Sequence, residues 1–277
     1  MTRRLVPRGA RNWLRAPSLS VMWLADEARH ALGLNPVVRL RPDWPLRCHP
    51  AALRVAFLPA CADAEQAREL DGFIASCAPG MRLFDIGAHF GLFTLAALHY
   101  GGSAAQVVAV DPSPAATRML RIQADLNGIA DRMTIVEAAL GDRVGQAHLV
   151  PVGVIAAGYY APPQAGGFAE ARVVAALTLD ALAARHGWPT HVKIDVEGAE
   201  ADVLAGAHDV LAHTPAPVLF VELHNEMVRG CGGDPGRATA ALAAAGYEIF
   251  DLDGRTSSAN AILARPLTRI VARRRAA

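Results

Sequence analysis

Residues 81–94, Met-Arg-Leu-Phe-Asp-Ile-Gly-Ala-His-Phe-Gly-Leu-Phe-Thr, constrain the fold of this chain more than any other stretch. Residues 83–86 have the length and apolar character of a buried strand, and residues 90–98 those of the helix that follows. A strand that passes at once into a helix leaves free backbone N–H groups and the positive end of the helix dipole at the turn. Gly87 lets the chain turn with no Cβ in the way, and Gly91 permits close approach to the helix. With Asp85 just ahead of the turn, the stretch reads as a nucleotide-type cradle rather than a plain strand–turn–helix with incidental glycines.

A second strand, residues 106–110, ends in Asp111, where a Rossmann-type site holds a ribose by its hydroxyls. The glycine spacing is Gly-x-x-x-Gly, not the Gly-x-Gly-x-x-Gly of nicotinamide and flavin enzymes. An acid at position 85 suits S-adenosylmethionine better, because it can reach that cofactor's ammonium group.

The rest of the chain repeats the alternation. Ser113 and Pro114 open a helix that Gly128 closes. Residues 133–136, 191–195 and 218–222 read as strands, and 178–186, 199–211 and 237–245 as helices. Residues 248–252 and 261–264 look like two closing strands, which makes a seven-stranded, mostly parallel sheet with helices on both faces. The expected fold class is α/β, Rossmann-like, over residues 81–266. Residues 36–80 supply lead-in edge strands or a hairpin and a helix over 63–77. Residues 1–35 form a basic, loosely docked extension whose short amphipathic helix could touch an anionic membrane surface weakly. Residues 267–277 read as a basic, solvated tail. The long connection 143–176, with adjacent Tyr159 and Tyr160, reads either as a flap over the substrate or as a surface hairpin.

Composition excludes several functions. Hydrophobic residues make up 52% and charged residues 19%, enough for a substantial core in 277 residues. A net charge of +1 provides no basic field for nucleic acid, and no Asn/Asp-Pro-Pro-aromatic motif of nucleic-acid methylation stands at the fourth strand. The four cysteines are widely spaced with no C-x-x-C pair, as expected of free thiols in a reducing cytoplasm. Glycines, histidines or prolines break the uncharged runs 86–110 and 144–169, so no transmembrane segment is expected.

In such a sheet, ligands bind beyond the carboxyl ends of the strands. Four of those ends carry acids: Asp85, Asp111, Asp195 and Glu222. Lys193, the only lysine in the chain, lies in a central strand and must be paired or reach solvent. A structural pair with a carboxylate is its plain reading. If the fourth and fifth strands are neighbours, Asp195 and Glu222 face one pocket and raise each other's proton affinity, as a general base requires. They could also hold a divalent cation with His224 in reach, although the base ranks above the metal.

Asp85-Ile-Gly-Ala-His-Phe-Gly91, Lys193-Ile-Asp-Val-Glu-Gly-Ala-Glu200, Leu204-Ala-Gly-Ala207 and Val221-Glu-Leu-His224 together resemble FkbM-type methyltransferases, over residues 63–266. The resemblance implies a class I S-adenosylmethionine-dependent fold and O-methylation of a hydroxyl on a sugar, glycan or secondary-metabolite acceptor. It assigns Asp85, Gly87 and Gly91 to the methionine part of the cofactor, Asp111 to the ribose, and Ala139 and Leu140 to the adenine. His89 and Gln123 depart from it, standing where asparagine is usual. The candidate bases are Glu222, Asp195 and His224, with Glu197 as orienting partner. Two rivals are a nicotinamide-dependent oxidoreductase and a cofactor-binding interaction module without catalysis.

Overall fold

The computed structural model describes residues 17–152, 157–161 and 172–274. Helix α1 (Pro17–Ala31) leads into an antiparallel hairpin of β1 (Val37–Arg41) and β2 (Trp44–Arg47). A helical stretch then runs through residues 50–62, and its middle turn, Leu53–Phe57, is wound as a π-helix. Helix α2 (Ala64–Ser76) begins at Asp63, whose carboxylate accepts the N–H groups of Glu65 and Gln66 at 3.1 and 2.8 Å.

The alternation follows: β3 (Arg82–Ile86), α3 (Leu92–Tyr100), β4 (Gln106–Val110), α4 (Pro114–Asn127) and β5 (Met133–Val136). Strands β6 (Ala139–Leu140), β7 (Gly145–Val152), β8 (Ala157–Ala161) and β9 (Arg172–Leu177) form a separate small sheet. Next come α5 (Leu179–His186), β10 (His191–Ile194), α6 (Glu200–Ala205), α7 (His208–Ala212) and β11 (Val218–Leu223). Helices α8 (Asn225–Gly230) and α9 (Gly236–Ala244), strand β12 (Tyr247–Phe250), helix α10 (Ala259–Leu263) and strand β13 (Thr268–Arg274) complete the order.

The main sheet has seven strands in the order β12-β13-β11-β10-β3-β4-β5, and only β13 runs against its neighbours. This is the expected mostly parallel α/β fold. Side chains alternate across it with period two: Leu83, Val107 and Ala109 enter one core, and Phe84, Ile86, Val108 and Val110 the other. Both faces are covered, which is why β3 and β4 read as nearly unbroken apolar runs.

Three expectations are corrected. The seventh strand is not 261–264, which is α10 with the Ser258 hydroxyl at its N-terminus; it is β13, inside the stretch expected as a solvated tail. Its arginines hid a buried Ile270, Val271 and Ala272, and Arg269 is itself buried because it is paired. The N-terminal region is not loosely docked over α1: Arg54 holds Asp26 at 2.6 Å, Arg118 holds Glu27 at 2.7 Å, and Trp23 packs on Phe90. Residues 199–211 form two short helices, not one, with Gly206 and Ala207 between them. At Gly206 a Cβ would lie 2.2 Å from the Gly141 carbonyl oxygen. The side chains of Tyr159 and Tyr160, in the connection read as either a flap or a surface hairpin, lie outside the described residues.

Candidate functional site

The register of the sheet places a polar line on its α2 face. Lys193 pairs across with Asp85 on one side and Phe220 on the other, and Glu222 pairs across with Arg269. Two residues along, Asp195 follows Lys193 onto the same face. Lys193 Nζ is fully buried, 3.0 Å from Glu69 Oε1 on α2, 3.8 Å from Asp195 Oδ2 and 3.9 Å from Glu222 Oε2. Burial alone would discharge this ammonium, but Glu69, Asp195 and Glu222 outweigh it and raise its pKa. The Arg269 fork grips both Glu222 oxygens, Nη2 to Oε1 at 2.8 Å and Nε to Oε2 at 3.1 Å. Burial, with Asp195 adding to it, pushes Glu222 up to about 7.

His224 closes the line. Its Nδ1 lies 2.7 Å from Glu200 Oε1, and its Nε2 lies 3.2 Å from Glu197 Oε2 and 3.9 Å from Asp195 Oδ1. Burial favours the neutral ring, yet Glu200, Asp195 and Glu197 prevail and raise it to about 9. Glu197 occupies the left-handed region at φ 52°, a conformation uncommon outside glycine, which turns its carboxylate toward the ring. One atom each from Asp195, Glu197 and His224 lie within 4.8 Å of one another. Carboxylates with one imidazole would suit a hard divalent cation.

At the other end, the turn after β3 is closed by its own bonds. The amides of Gly87 and Ala88 donate to the Val110 carbonyl, that of His89 to Asp111 Oδ2 at 2.9 Å, and that of Gly91 to Ala88. The expectation of free N–H groups is therefore corrected at these four positions, because the neighbouring strand end consumes three of them and the turn itself the fourth. Gly87, at φ 80°, is required by contact: a Cβ would stand 1.8 Å from the Asp195 carbonyl oxygen. Gly91 sits at φ 90°, the left-handed region that favours glycine, and a Cβ there would also press on the end of the Leu120 side chain at 2.7 Å.

Asp85 is buried, accepts the Thr94 hydroxyl at 2.6 Å, and is pushed up to about 6 by burial. Asp111 accepts the amides of Ser113 and His89, one on each oxygen, and burial raises it to about 7.

These two ends meet in one cavity of about 370 Å³, within the range of small-molecule sites. Of the residues expected to hold the cofactor, Asp85, Gly87, Asp111, Ala139 and Leu140 line it, and Gly91 does not. Of the expected catalytic set, Asp195, Glu197 and Glu222 line it, with His224 packed against them from outside the lining. Ala147, Leu149 and Val174 of the small sheet form one wall, so part of the 143–176 connection does cover the site. The π-helical stretch, through Val55 and Phe57, forms another wall that sequence reasoning missed. Glu69, Glu200 and Arg269 were missed too. For Glu69 the sequence signal was that a lone lysine in a central strand demands partners, whereas Glu200 closes the Lys193–Glu200 block that carries the family resemblance. His89 lines the cavity at φ 48° with its ring stacked 4.0 Å from that of Phe90; burial lowers it to about 4, so the ring is neutral.

Parts of the chain are similar to known proteins. The ribosomal protein L11 methyltransferase of Pelotomaculum thermopropionicum is 37% identical over 101 residues, 35% of this chain and 32% of that protein. The chain thus spans about a third of the length of this relative. Among solved structures, a ribosomal protein L11 methylase from Lactobacillus delbrueckii subsp. bulgaricus superposes with a TM-score of 0.45 at 13% identity, over 76% of this chain and 79% of that one. The precorrin-6y C5,15-methyltransferase of Geobacter metallireducens gives 0.43 at 14% identity, over 76% and 86%. The model of the methyltransferase FkbM domain matches residues 85–249, more than half of the chain and most of the strands and turns that frame the cavity. The protein belongs to the FkbM methyltransferase family.

Proposed function

We propose that this protein is an S-adenosylmethionine-dependent O-methyltransferase acting on a hydroxyl of a sugar, glycan or secondary-metabolite acceptor. The observation that carries the reading is the convergence of Asp85 and Asp111, from one pair of strand ends, with Asp195 and Glu222, from the next pair, on one cavity. Asp85, raised by burial that the Thr94 hydroxyl and the Lys193 charge only partly offset, suits an ammonium group. Each Asp111 oxygen accepts one amide and keeps a lone pair for a ribose hydroxyl. Ala139 and Leu140 offer an apolar wall for a base. Family membership and the glycine spacing favour this over a nicotinamide enzyme.

When bound, S-adenosylmethionine supplies a methyl group on a sulfonium, itself a good leaving group. The chain has to align the acceptor and remove its proton. Of the three expected bases, Glu222 is occupied by Arg269, and His224 is held as an imidazolium by Glu200. Asp195 lines the cavity, is partly open to solvent, and has its cationic neighbours no nearer than 3.8 Å. It is assigned as the base, with Glu197 and His224 orienting it. The grouping of Asp195, Glu197 and His224 also favours a variant of this reading in which His224 gives up its Nε2 proton and a divalent cation held by the three takes over the proton-drawing role. Loss of turnover in EDTA, restored by Mg²⁺ or Mn²⁺, would select that variant.

The test is a screen of hydroxyl acceptors that follows release of S-adenosylhomocysteine. Asp195→Asn should lower turnover by roughly a hundredfold or more. Calorimetry should find its S-adenosylmethionine affinity unchanged. Wild-type turnover in that variant rejects the assignment, and failure of the wild-type chain to bind S-adenosylmethionine rejects the function.

A further inference from the structure

Helices on a domain surface normally turn their apolar stripe inward and their charges outward. Helix α1 turns most of its described large apolar side chains outward, Trp23 excepted. Val21, Met22 and Leu24 are 64%, 43% and 49% exposed, and Leu32, just past the last turn, is 75% exposed. Ala25 and Ala28 lie exposed between them, at the i, i+3, i+4 spacing of one helical face.

The charges point the other way. Asp26 is buried against Arg54, Glu27 is held by both ends of the Arg118 fork at 2.9 and 2.7 Å, and His30 Nδ1 meets Asn35 Oδ1 at 2.9 Å. Arg29 is the one charged side chain on the outward side among the described residues of the helix. The apolar surface continues past the helix into a shallow groove with Leu34 and Leu58 on its walls, at 60% and 53% exposure. Among the described residues, seven of the ten exposed large apolar side chains lie between Val21 and Leu58, a concentration that marks an interaction surface rather than scatter.

Charge decides what covers this face. The residues ahead of the helix carry Arg3, Arg4, Arg8, Arg11 and Arg15 with no acid, and Arg29 adds to them on the outward side. A second copy docked face to face would bring two such arginine sets together, so like charges oppose that occupant. An anionic lipid surface complements both features. Since Asp26 and Glu27 are already paired inward, docking would desolvate no unpaired acid.

We propose that α1 and the adjoining Leu32–Leu34 turn lie in the interface of an anionic bilayer, to which the arginine-rich sequence ahead of the helix adds charge attraction. The helical stretch 50–62 turns Leu53 and Leu58 to this face and Val55 and Pro59 to the cavity, so docking sets a cavity wall beside the lipid. The inference is independent of the methyl-transfer reading.

Vesicle co-sedimentation of the full chain tests it. The protein should pellet with phosphatidylcholine vesicles that contain phosphatidylglycerol and remain in solution with pure phosphatidylcholine. Binding should weaken as salt screens the arginines. A Val21→Glu/Leu24→Glu variant should bind at least about tenfold more weakly, since two buried side chains are lost from the interface. Both positions are exposed, so its circular dichroism should match the wild type. Replacing Arg3, Arg4, Arg8, Arg11 and Arg15 by serine should also weaken binding with the apolar face intact. Equal pelleting of variants and wild type, or none at all, overturns the proposal. So does a concentration-dependent dimer in light scattering that the double variant dissolves, which would give the face to a second copy.

Discussion

At Gly87 and His224, single residues carry most of the local argument. A methyl group on Gly87 collides with the Asp195 carbonyl, whereas at Gly33, also at positive φ (73°), a Cβ would meet nothing within 4 Å. Gly33→Ala should therefore cost only the backbone strain, about 1 kcal/mol, and Gly87→Ala at least about 2 kcal/mol more. Urea denaturation of the two variants measures the difference; equal losses would mean that the β3 turn relaxes freely. His224 makes the stability depend on pH. Its folded pKa, about 9, lies above the ordinary histidine value of 6.5, so its contribution is complete below 6.5 and is lost as pH rises through 9. The melting temperature of the wild type should fall over that window more steeply than that of His224→Gln. Parallel curves would show that the imidazolium is not held by its three acids.

Between elements, the buried charges tie α2 to three strands. Glu69 comes from α2, Lys193 from β10, Glu222 from β11 and Arg269 from β13. Breaking a buried pair from one side strands the other charge, which generally costs about 3–5 kcal/mol, whereas replacing both by apolar groups is often nearly neutral. Lys193→Met should accordingly destabilise by about 3 kcal/mol, and adding Glu69→Leu should recover most of that loss. A double-mutant cycle in urea reads the coupling directly, and additive losses would mean that Lys193 draws its support from Asp195 and Glu222 instead. The same ties bear on the site: α2 and the π-helical stretch ahead of it are anchored to the strands whose ends carry the acids.

For the molecule as a whole, the cavity is closed by parts distant in the chain: the 50–62 stretch on one side, the small sheet on another, and the strand ends beneath. A ligand that fills it joins all three and stabilises only the folded state. S-adenosylmethionine at a hundred times its dissociation constant should add about 2.7 kcal/mol, which for a chain of this size raises the melting temperature by roughly 5–10 °C. Differential scanning fluorimetry should show that rise with S-adenosylmethionine and none with NAD. A rise with NAD alone would reopen the nicotinamide reading.

The sequence by itself determined the parts that depend on near neighbours. Strand–helix alternation, the opening of α4 at Pro114 and its close at Gly128, the glycine turn at Gly87 and the acids at four strand tips all follow from periodicity, dihedral preference and residues within a few positions of one another. Only the tertiary structure decided the partners. It gave Glu222 to Arg269 and Lys193 to Glu69, spent the turn amides on Val110 and Asp111, and drew a stretch that looked like a charged tail into the sheet. A buried charge leaves in the sequence the need for a counter-charge but no address for it. The address is set by strand order and register, which arise from contacts between residues far apart in the chain.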